Sequence, residues 1–344
     1  MLKGRGKREK RNGGGEFLVA VFPRLRYGGG LNDGGTAMSH AQHAHSWPRR
    51  RFMSVCGTAV CSLAARRARA DAGGEELACF GIVADCHYAE RDDKQGVRAY
   101  RESVSKLAEC VAQMNLQGVG ALIELGDFKD AGGSAEQTTA FLRTIEGVFS
   151  RFKGARYHVL GNHDMDRISK AQFLAAIENS GFAQARAHYA FDLGGLRTVV
   201  LDANYRADGV PYEAGNFDWR QAHVPEAELA WLRGELAVTR RPVVAFVHQR
   251  LDADEGDVYV RNAATVRRVL EQSGRVRAVF QGHHHEGGCR SVNGIHYVTL
   301  NALVVGKGEA NNAYAVVRAM RDGRLVITGF RTAPSRVLTG APFF

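Results

Sequence analysis

Three consecutive histidines, His283, His284 and His285, are residues whose side chains could do chemistry together. Successive residues of an extended backbone project to opposite faces, so His283 and His285 are predicted to share one side and His284 to face away. This pattern favours two metal ligands with a bystander between them. A histidine-rich accident or a soft-metal tract are the alternatives, and the choice depends on whether the rest of the chain supplies partners.

Elsewhere the chain repeats one pattern, in which a short apolar, strand-like run ends in a polar residue that can bind metal. The runs span residues 79–87, 121–127, 157–164, 242–249 and 276–285. In α/β sheets, ligands gather beyond the carboxyl ends of the strands. The residues delivered there are carboxylates, imidazoles and a carboxamide, namely Asp85, His87, Asp127, Asn162, His163, His248, His283 and His285. Oxygen and nitrogen ligands without thiolate suit Mn, Fe or Zn.

The number of these ligands indicates the kind of site. They are too many for one tetrahedral ion and about right for two divalent or trivalent ions that share a bridging carboxylate. Two ions roughly 3.5 to 4 Å apart hold a bridging hydroxide and stabilise the attacking and leaving oxygens of an in-line displacement at phosphorus. The predicted chemistry is therefore phosphoryl transfer to water.

The motifs around these residues carry a family resemblance. They are DxH at residues 85–87, GDxxD at 126–130, GNHD at 161–164, a lone histidine at 248 after an apolar strand, and GHxH at 282–285. Each motif is weak alone. All of them in this order, over about 200 residues, resemble the motif set of calcineurin-like metallophosphoesterases.

The resemblance implies a fold and a set of roles. The fold would be a four-layer α/β/β/α sandwich with two mixed sheets. His163 would stabilise phosphoryl oxygens or protonate the leaving group, with Asp164 orienting it. Asp130 would position a metal ligand from outside, and Asp127 would bridge the ions. The implied ligands of one ion are Asp85, His87 and His285, and those of the other are Asn162, His248 and His283.

Shorter stretches, at residues 80–93, 215–219 and 282–300, resemble the ADP-ribose/CDP-alcohol diphosphatase branch of this family. A small, nucleotide-like substrate with a phosphodiester or pyrophosphate bond is thus expected. A phosphomonoesterase or protein phosphatase on the same scaffold, or a non-catalytic binding module, are the alternatives. Candidate substrate contacts flank the motifs, although such loop residues are at least as often plain surface: Tyr88, Arg91, Asp92, Asn204, Tyr205 and Glu286.

The elements that must position these residues alternate between strand and helix. Helical periodicity is predicted over residues 97–115, 135–151, 170–179, 225–236 and 262–272. Strands alternating with helices indicate an α/β domain, and hairpins predicted at 188–202 and 313–330 make its sheets mixed. Without an internal linker, residues 71–344 are expected to form one catalytic domain. Trp219 and Trp231 are expected in its core, and Cys86 is expected to point away from the metals.

The formal net charge of +10 is unevenly distributed. Residues 1–70 hold 14 Lys and Arg against 3 Asp and Glu, whereas residues 71–344 hold 32 against 33. A protein that binds the phosphate backbone of nucleic acid is expected to carry its basic excess on the folded domain. We therefore expect no nucleic-acid partner, and no apolar run is long enough to predict stable membrane insertion.

Residues 1–70 are expected to be a disordered basic presequence, with the start codon at Met1 or Met38. Residues 46–70 combine an arginine cluster, a short apolar run and the small-x-small pattern Ala68-Arg69-Ala70, and they resemble a twin-arginine export signal. The expectation is a periplasmic or secreted protein that uses the twin-arginine export machinery. The alternative is a basic arm on a cytoplasmic protein.

Overall fold

The structure, a computed structural model, describes residues 74–92 and 95–342. These residues form two six-stranded sheets. The strands of the first sheet, in order across it, are β12 (Arg336–Leu338), β11 (Leu325–Arg331), β10 (Ala313–Met320), β1 (Glu76–Val83), β2 (Ala121–Glu124) and β3 (Ala155–His158). Those of the second are β4 (Tyr189–Leu193), β5 (Leu196–Val200), β6 (Val243–Phe246), β7 (Val276–Gln281), β9 (Ile295–Thr299) and β8 (Gly288–Val292).

Both sheets are mixed, as predicted. Strands β1, β2 and β3 are parallel, and so are β5, β6, β7 and β9, while the outer strands pair antiparallel. Parallel neighbours need crossover connections, which place helices on the sheet faces. The helices are α1 (Ser103–Gln117), α2 (Ala135–Phe149), α3 (Lys170–Leu174), α4 (Glu226–Val238) and α5 (Ala263–Gln272).

Alternation along the strands produces three apolar layers. In β6, Val244 and Phe246 point into the core between the two sheets, while Val243 and Ala245 point into the core beneath α4 and α5. A third core lies between the first sheet and helices α1 and α2. Phe80 joins the sheets, because its ring meets those of Phe246 and Phe280 at 5.8 Å. The expected four-layer α/β/β/α sandwich is confirmed.

The third predicted helix is shorter in the structure than its periodicity indicates. It ends at Leu174 and not at residue 179. The side chains of Asn179 and Ser180 instead accept hydrogen bonds from the backbone amides of His158 and Arg156, at 2.8 and 2.9 Å. These two side chains thus provide hydrogen-bond acceptors for the free backbone amides at the outer edge of β3. A helix that continued to residue 179 could not place them there.

One hairpin was not predicted. Strands β8 and β9 are joined by Asn293 and Gly294, which both have positive φ, 49° and 82°. This is the Asn-Gly signature of a two-residue turn, and the sequence therefore contained the signal. The presequence and export signal expected in residues 1–70 lie outside the described residues, as does the domain boundary at residue 71. Within residues 74–92 and 95–342, no helix is both long and apolar enough to cross a membrane.

Candidate metal centre

The residues predicted to bind metal meet at the carboxyl ends of β1, β2, β3, β6 and β7. Four of them, Asp85, His87, Asp127 and His283, adopt left-handed backbone conformations, with φ between 47° and 66°. Residues with a Cβ rarely adopt this conformation, and it concentrates at functional sites. The turn after each strand therefore aims a side chain inward at the expense of local strain.

Asp127 lies at the centre of the cluster. Its Oδ2 is 3.5 Å from His87 Nε2 and 3.1 Å from His248 Nε2. Its Oδ1 accepts a hydrogen bond from the backbone amide of His163 at 2.7 Å. One carboxylate oxygen thus faces two groups of imidazoles, while the other is held by the backbone.

The first group consists of Asp85, His87 and His285. The Nε2 atoms of the two histidines are 3.1 Å apart, and Asp85 Oδ1 lies 3.8 and 3.5 Å from them. On the outer side of His87, Nδ1 is 3.4 Å from Asp130 Oδ2. Asp130 therefore has the placement predicted for a residue that positions a ligand, since it leaves Nε2 directed at the centre.

The second group joins Asp127 to His248 and His283. His248 Nε2 is 3.2 Å from His283 Nδ1, while His248 Nδ1 is 2.8 Å from the carbonyl oxygen of Leu125. This carbonyl fixes the ring so that Nε2 faces the centre. Asn162 lines the same cleft, and its Oδ1 is buried without a hydrogen-bond partner among the described residues. A buried, unpaired amide oxygen beside carboxylates and imidazoles fits a metal ion.

Two motif glycines allow these groups to approach. A Cβ on Gly126, which has φ 96°, would lie 2.6 Å from His248 Nδ1. A Cβ on Gly161 would lie 2.1 Å from the backbone nitrogen of Asp127. Both distances exclude any larger residue without movement of the site, and this explains the glycines of the GDxxD and GNHD motifs physically.

The central carboxylate favours positive charge. Burial raises the pKa of Asp127, but His248 and its other histidine neighbours outweigh burial and hold the pKa well below its usual range. Burial likewise lowers the pKa of His248, whereas Asp127 and Asp85 raise it to about 10. The centre is therefore a region of negative potential that stabilises cations.

Two of the imidazoles remain neutral in this field. Burial lowers the pKa of His283, and the neighbouring His248 lowers it further, to about 3. Burial and the neighbouring His87 lower the pKa of His285 to about 2. Both rings therefore keep a nitrogen lone pair at pH 7, which is the form that binds metal.

The sequence of residues 80–287 matches the model of the calcineurin-like phosphoesterase family, which covers more than half of the chain. The chain belongs to this family. It is a metal-dependent hydrolase of phosphoric ester or anhydride bonds, so the alternative of a non-catalytic binding module is set aside.

Two curated relatives resemble this phosphoesterase over most of their length. The manganese-dependent ADP-ribose/CDP-alcohol diphosphatase of Oryza sativa subsp. japonica is 28% identical over 273 residues, covering 67% of this chain and 84% of the relative. The protein of the same name from Arabidopsis thaliana is 25% identical over 275 residues, covering 68% and 88%. The predicted resemblance to this branch is confirmed.

A solved structure shares the fold. A dimetal phosphatase from Danio rerio superposes with a TM-score of 0.66 at 21% identity, covering 78% of this chain and all of that chain. At this identity the match supports the architecture of the phosphoesterase and carries no further conclusion.

The phosphoesterase cleft has a volume of about 310 Å³ and includes three residues that the motifs did not indicate. They are Arg98, Trp219 and Val258. The expectation that Trp219 packs in the core is wrong, because its side chain is 39% exposed and its ring contacts that of His283 at 5.4 Å. An aromatic residue in the glycine-containing loop 215–219 was an available signal for Trp219, whereas nothing in the sequence marks Val258.

Strand alternation does not explain the histidine triplet. Strand β7 ends at Gln281, and His283 has a left-handed conformation, so the extended backbone assumed for the triplet is absent. His283 and His285 nevertheless line the cleft, while His284 Nδ1 lies 3.4 Å from Arg250 Nη1. Cys86 is buried in the core against α1 and α2, away from the cleft as expected.

None of the six candidate substrate contacts is among the residues that line this cleft, and their role in binding substrate stays a prediction. On the first sheet, Tyr88 is buried against Phe141, Arg91 pairs with Asp130 at 2.9 Å, and Asp92 pairs with an arginine on the surface. The backbone turns sharply at Asp85 and His87, so residues adjacent in sequence point in different directions.

The other three candidates also lie outside the lining of this cleft. Asn204 is buried and donates a hydrogen bond to the carbonyl of Leu160 at 2.7 Å. Tyr205 lines a different hollow, of about 480 Å³, with Trp231. Glu286 is exposed, and its carbonyl accepts a hydrogen bond from Asn301. That hollow is larger than the cleft but contains no convergent set of ligand atoms, so chemistry and not volume identifies the site.

The carboxylate of Asp164, predicted to orient His163, contacts the backbone of the ligand-bearing loops. It is fully buried and accepts hydrogen bonds from the backbone amides of Gly161, Asp127 and Phe128, at 2.8, 3.1 and 2.9 Å. It therefore fixes the loops that carry Asp127 and Asn162 and does not contact the ring of His163.

Proposed function

We propose that this phosphoesterase uses two divalent cations to hydrolyse phosphodiester or pyrophosphate bonds of nucleotide-like small molecules. The observation that carries the proposal is the position of Asp127, whose Oδ2 lies within 3.5 Å of an imidazole from each ligand group. A carboxylate oxygen between two sets of ligands is suited to bridging two cations, the arrangement that supports in-line displacement at phosphorus.

The residues present fit two ions. Each group offers ligand atoms that all lie within 4.8 Å of one another. Manganese is the proposed metal, because the curated relatives are named manganese-dependent and oxygen and nitrogen donors suit it. When bound, the cations would supply an activated water molecule and neutralise charge on the phosphoryl oxygens. Asp85, His87 and His285 would hold one ion, and His248, His283 and Asn162 the other, with Asp127 shared.

The remaining cleft residues would bind and orient the substrate. Arg98 adds positive charge beside the ligand groups, which favours a phosphate-containing substrate. Trp219 and Val258 form an apolar wall suited to a planar organic group. The names of the relatives support a nucleoside diphosphate derivative as the substrate. The volume of the cleft supports a small molecule. His163 also lines the cleft, and it would contact phosphoryl oxygens or the leaving group.

The proposal is tested by replacing the shared carboxylate. In the Asp127→Asn variant we expect bound manganese, measured by mass spectrometry, to fall from two ions per chain to one or none. We expect turnover of an activated aryl phosphodiester to fall at least about 10³-fold, because each ion loses its shared negative ligand. The matched control is Asp208→Asn, an exposed loop carboxylate, which should change neither quantity.

A single ion in the fully active wild type would contradict the dinuclear site. Unchanged turnover in metal-replete D127N would contradict the role of Asp127. A substrate panel then separates the alternatives. Faster cleavage of a nucleotide pyrophosphate than of aryl or protein phosphomonoesters is expected, and the opposite order would favour a phosphomonoesterase or protein phosphatase on this scaffold.

A further inference from the structure

The ring of His163 is held by a carboxylate that none of the motifs contains. His163 Nδ1 lies 2.7 Å from Oδ2 of Asp166, a hydrogen-bonding distance. Asp166 is three residues further along the chain, at the end of the short helical turn His163–Met165. The GNHD motif ends at residue 164, so Asp166 lies outside it.

The other carboxylates nearby are committed elsewhere. Asp130 Oδ1 is 3.7 Å from His163 Nδ1, too far for a hydrogen bond. The other oxygen of Asp130 faces His87 Nδ1 at 3.4 Å and Arg91 Nη2 at 2.9 Å. The carboxylate of Asp164 accepts hydrogen bonds from four backbone amides, those of Gly161, Asp127, Phe128 and Lys129. Asp166 is therefore the carboxylate that hydrogen-bonds the ring.

A buried lysine presents Asp166 to the ring. Lys129 is fully buried, and its Nζ donates hydrogen bonds to the carbonyl oxygens of His163 and Asp166, at 2.5 and 3.0 Å. The backbone amide of Asp166 also donates to the carbonyl of His163 at 3.1 Å. These hydrogen bonds fix both ends of the turn, so the side chains of His163 and Asp166 lie together before substrate binds.

We infer that Asp166 is the positioning residue for His163, and that it accepts the Nδ1 proton so that Nε2 is the nitrogen presented to the cleft. A carboxylate partner fixes both the tautomer and the ring orientation of a histidine. The inference rests on the proposed function, since it requires His163 to act on the phosphoryl group or the leaving group. The inference assigns Asp166 a role in the reaction that is exerted through His163, without contact between Asp166 and the substrate.

A double-mutant cycle in the manganese-loaded full chain tests this inference. We compare wild type, Asp166→Asn, His163→Ala and the double variant on aryl phosphodiesters with leaving phenols of increasing pKa. D166N is expected to lower kcat by about 10- to 100-fold, part of the roughly 10²- to 10⁴-fold that a positioned acid or base contributes. KM and bound manganese should stay within about 2-fold of wild type.

The decisive comparison is made in the H163A background. If Asp166 acts only through His163, then adding D166N to H163A should lower kcat by less than about 2-fold. Asp166→Glu, which keeps a carboxylate, should recover part of the loss, while the control Asp254→Asn, at an exposed carboxylate, should have no effect. An equal loss from D166N in both backgrounds, or loss of bound manganese, would overturn the inference.

A second measurement does not depend on turnover. If the wild type hydrolyses no phosphodiester or pyrophosphate, the proposed function fails, and the contact is then tested by nitrogen NMR. In zinc-loaded, ¹⁵N-histidine-labelled protein, His163 is assigned by difference from H163A. A proton on Nδ1 in the wild type, with altered ring-nitrogen shifts in D166N, supports the inference, whereas unchanged shifts overturn it.

Discussion

At the scale of single residues, the metal centre is built from side chains that the backbone holds in unfavourable conformations. Asp85, His87, Asp127 and His283 each have positive φ, a conformation that costs on the order of 1 kcal/mol or more for a residue with a side chain. Such strain persists only where surrounding contacts determine it. Here those contacts are backbone hydrogen bonds between the turns, such as His87 N to the carbonyl of Asp127 at 2.8 Å.

A buried histidine outside the metal centre should make stability depend on pH. His158 Nδ1 is 3.5 Å from Glu124 Oε2, and its Nε2 is 3.1 Å from Glu146 Oε2. Burial lowers the pKa of His158, but Glu146 and Glu124 outweigh burial and raise it to about 9. In the unfolded chain the pKa is about 6.5. The stabilisation is therefore fully present below about pH 6.5 and is lost as pH rises to about 9.

We expect the free energy of unfolding of wild type to fall between pH 7 and pH 9.5. Its fall should exceed that of the His158→Gln variant by on the order of 2 kcal/mol, because one pKa unit corresponds to about 1.4 kcal/mol. Urea unfolding at each pH measures the difference. Working above pH 7 keeps Glu124, whose pKa burial raises to about 7, mostly ionised. His223→Gln is the control at a half-buried histidine. Parallel pH profiles for wild type and H158Q would contradict the expectation.

At the scale of elements, helix α1 fixes a loop that supports the metal centre. Lys106, in the first turns of α1, is fully buried. Its Nζ donates to the carbonyl oxygens of Leu303, Val305 and Gly306 at 3.0, 3.0 and 2.5 Å. The same loop, between β9 and β10, reaches the centre, because Val304 N donates to the carbonyl of Asp85 at 3.1 Å. One side chain thus connects a helix to a ligand-bearing turn.

Replacing Lys106 by Met should loosen this loop. The substitution keeps the length of the side chain but removes the donors to buried carbonyls, which costs about 1 to 3 kcal/mol for each group left unsatisfied. We expect a total loss of about 3 kcal/mol in urea unfolding and weaker manganese binding in equilibrium titration. Lys153→Met, the same change at an exposed position, should stay within about 0.5 kcal/mol. A loss below about 1 kcal/mol for K106M would show that the loop keeps its conformation without the hydrogen bonds of Lys106.

At the scale of the whole molecule, charge is separated along the chain. Residues 71–344 are near neutral, whereas residues 1–70 carry a large basic excess. We propose that this segment directs export through the twin-arginine machinery and is removed after Ala70, so that the phosphoesterase acts outside the cytoplasm. This pathway carries folded proteins, which agrees with metal acquired before export.

Export is tested with the full chain in a bacterium that has the pathway. The expected result is processed protein in the periplasm, with an N-terminus that starts at Asp71 by sequencing. Arg49→Lys combined with Arg50→Lys should retain the precursor inside, while Arg66→Lys with Arg67→Lys is the control for loss of arginine alone. Uncleaved wild-type chain in the cytosol would refute the signal and leave the chemistry of residues 71–344 unaffected.

The sequence by itself determined the fold class and which candidate metal ligands lie together. Apolar periodicity decides which residues form strands and helices, and parallel strands bring their carboxyl ends to one edge, so motifs that follow strands must converge there. Asp85, Asp127 and His248 could therefore be placed together although they are far apart in the chain. The same logic does not bring Tyr88 and Asn204 into the lining of the cleft, because a residue that flanks a motif can point in any direction.

Only the tertiary structure decided what surrounds the ligands. Trp219 comes to the cleft from a loop without regular periodicity, and the partner of His163 is Asp166 and not the motif residue Asp164. Neither contact follows from spacing, and for His163 a carboxylate one residue away and another three residues away both lie close in sequence. Which of them reaches the ring depends on where the chain turns, and here the buried Lys129 holds that turn.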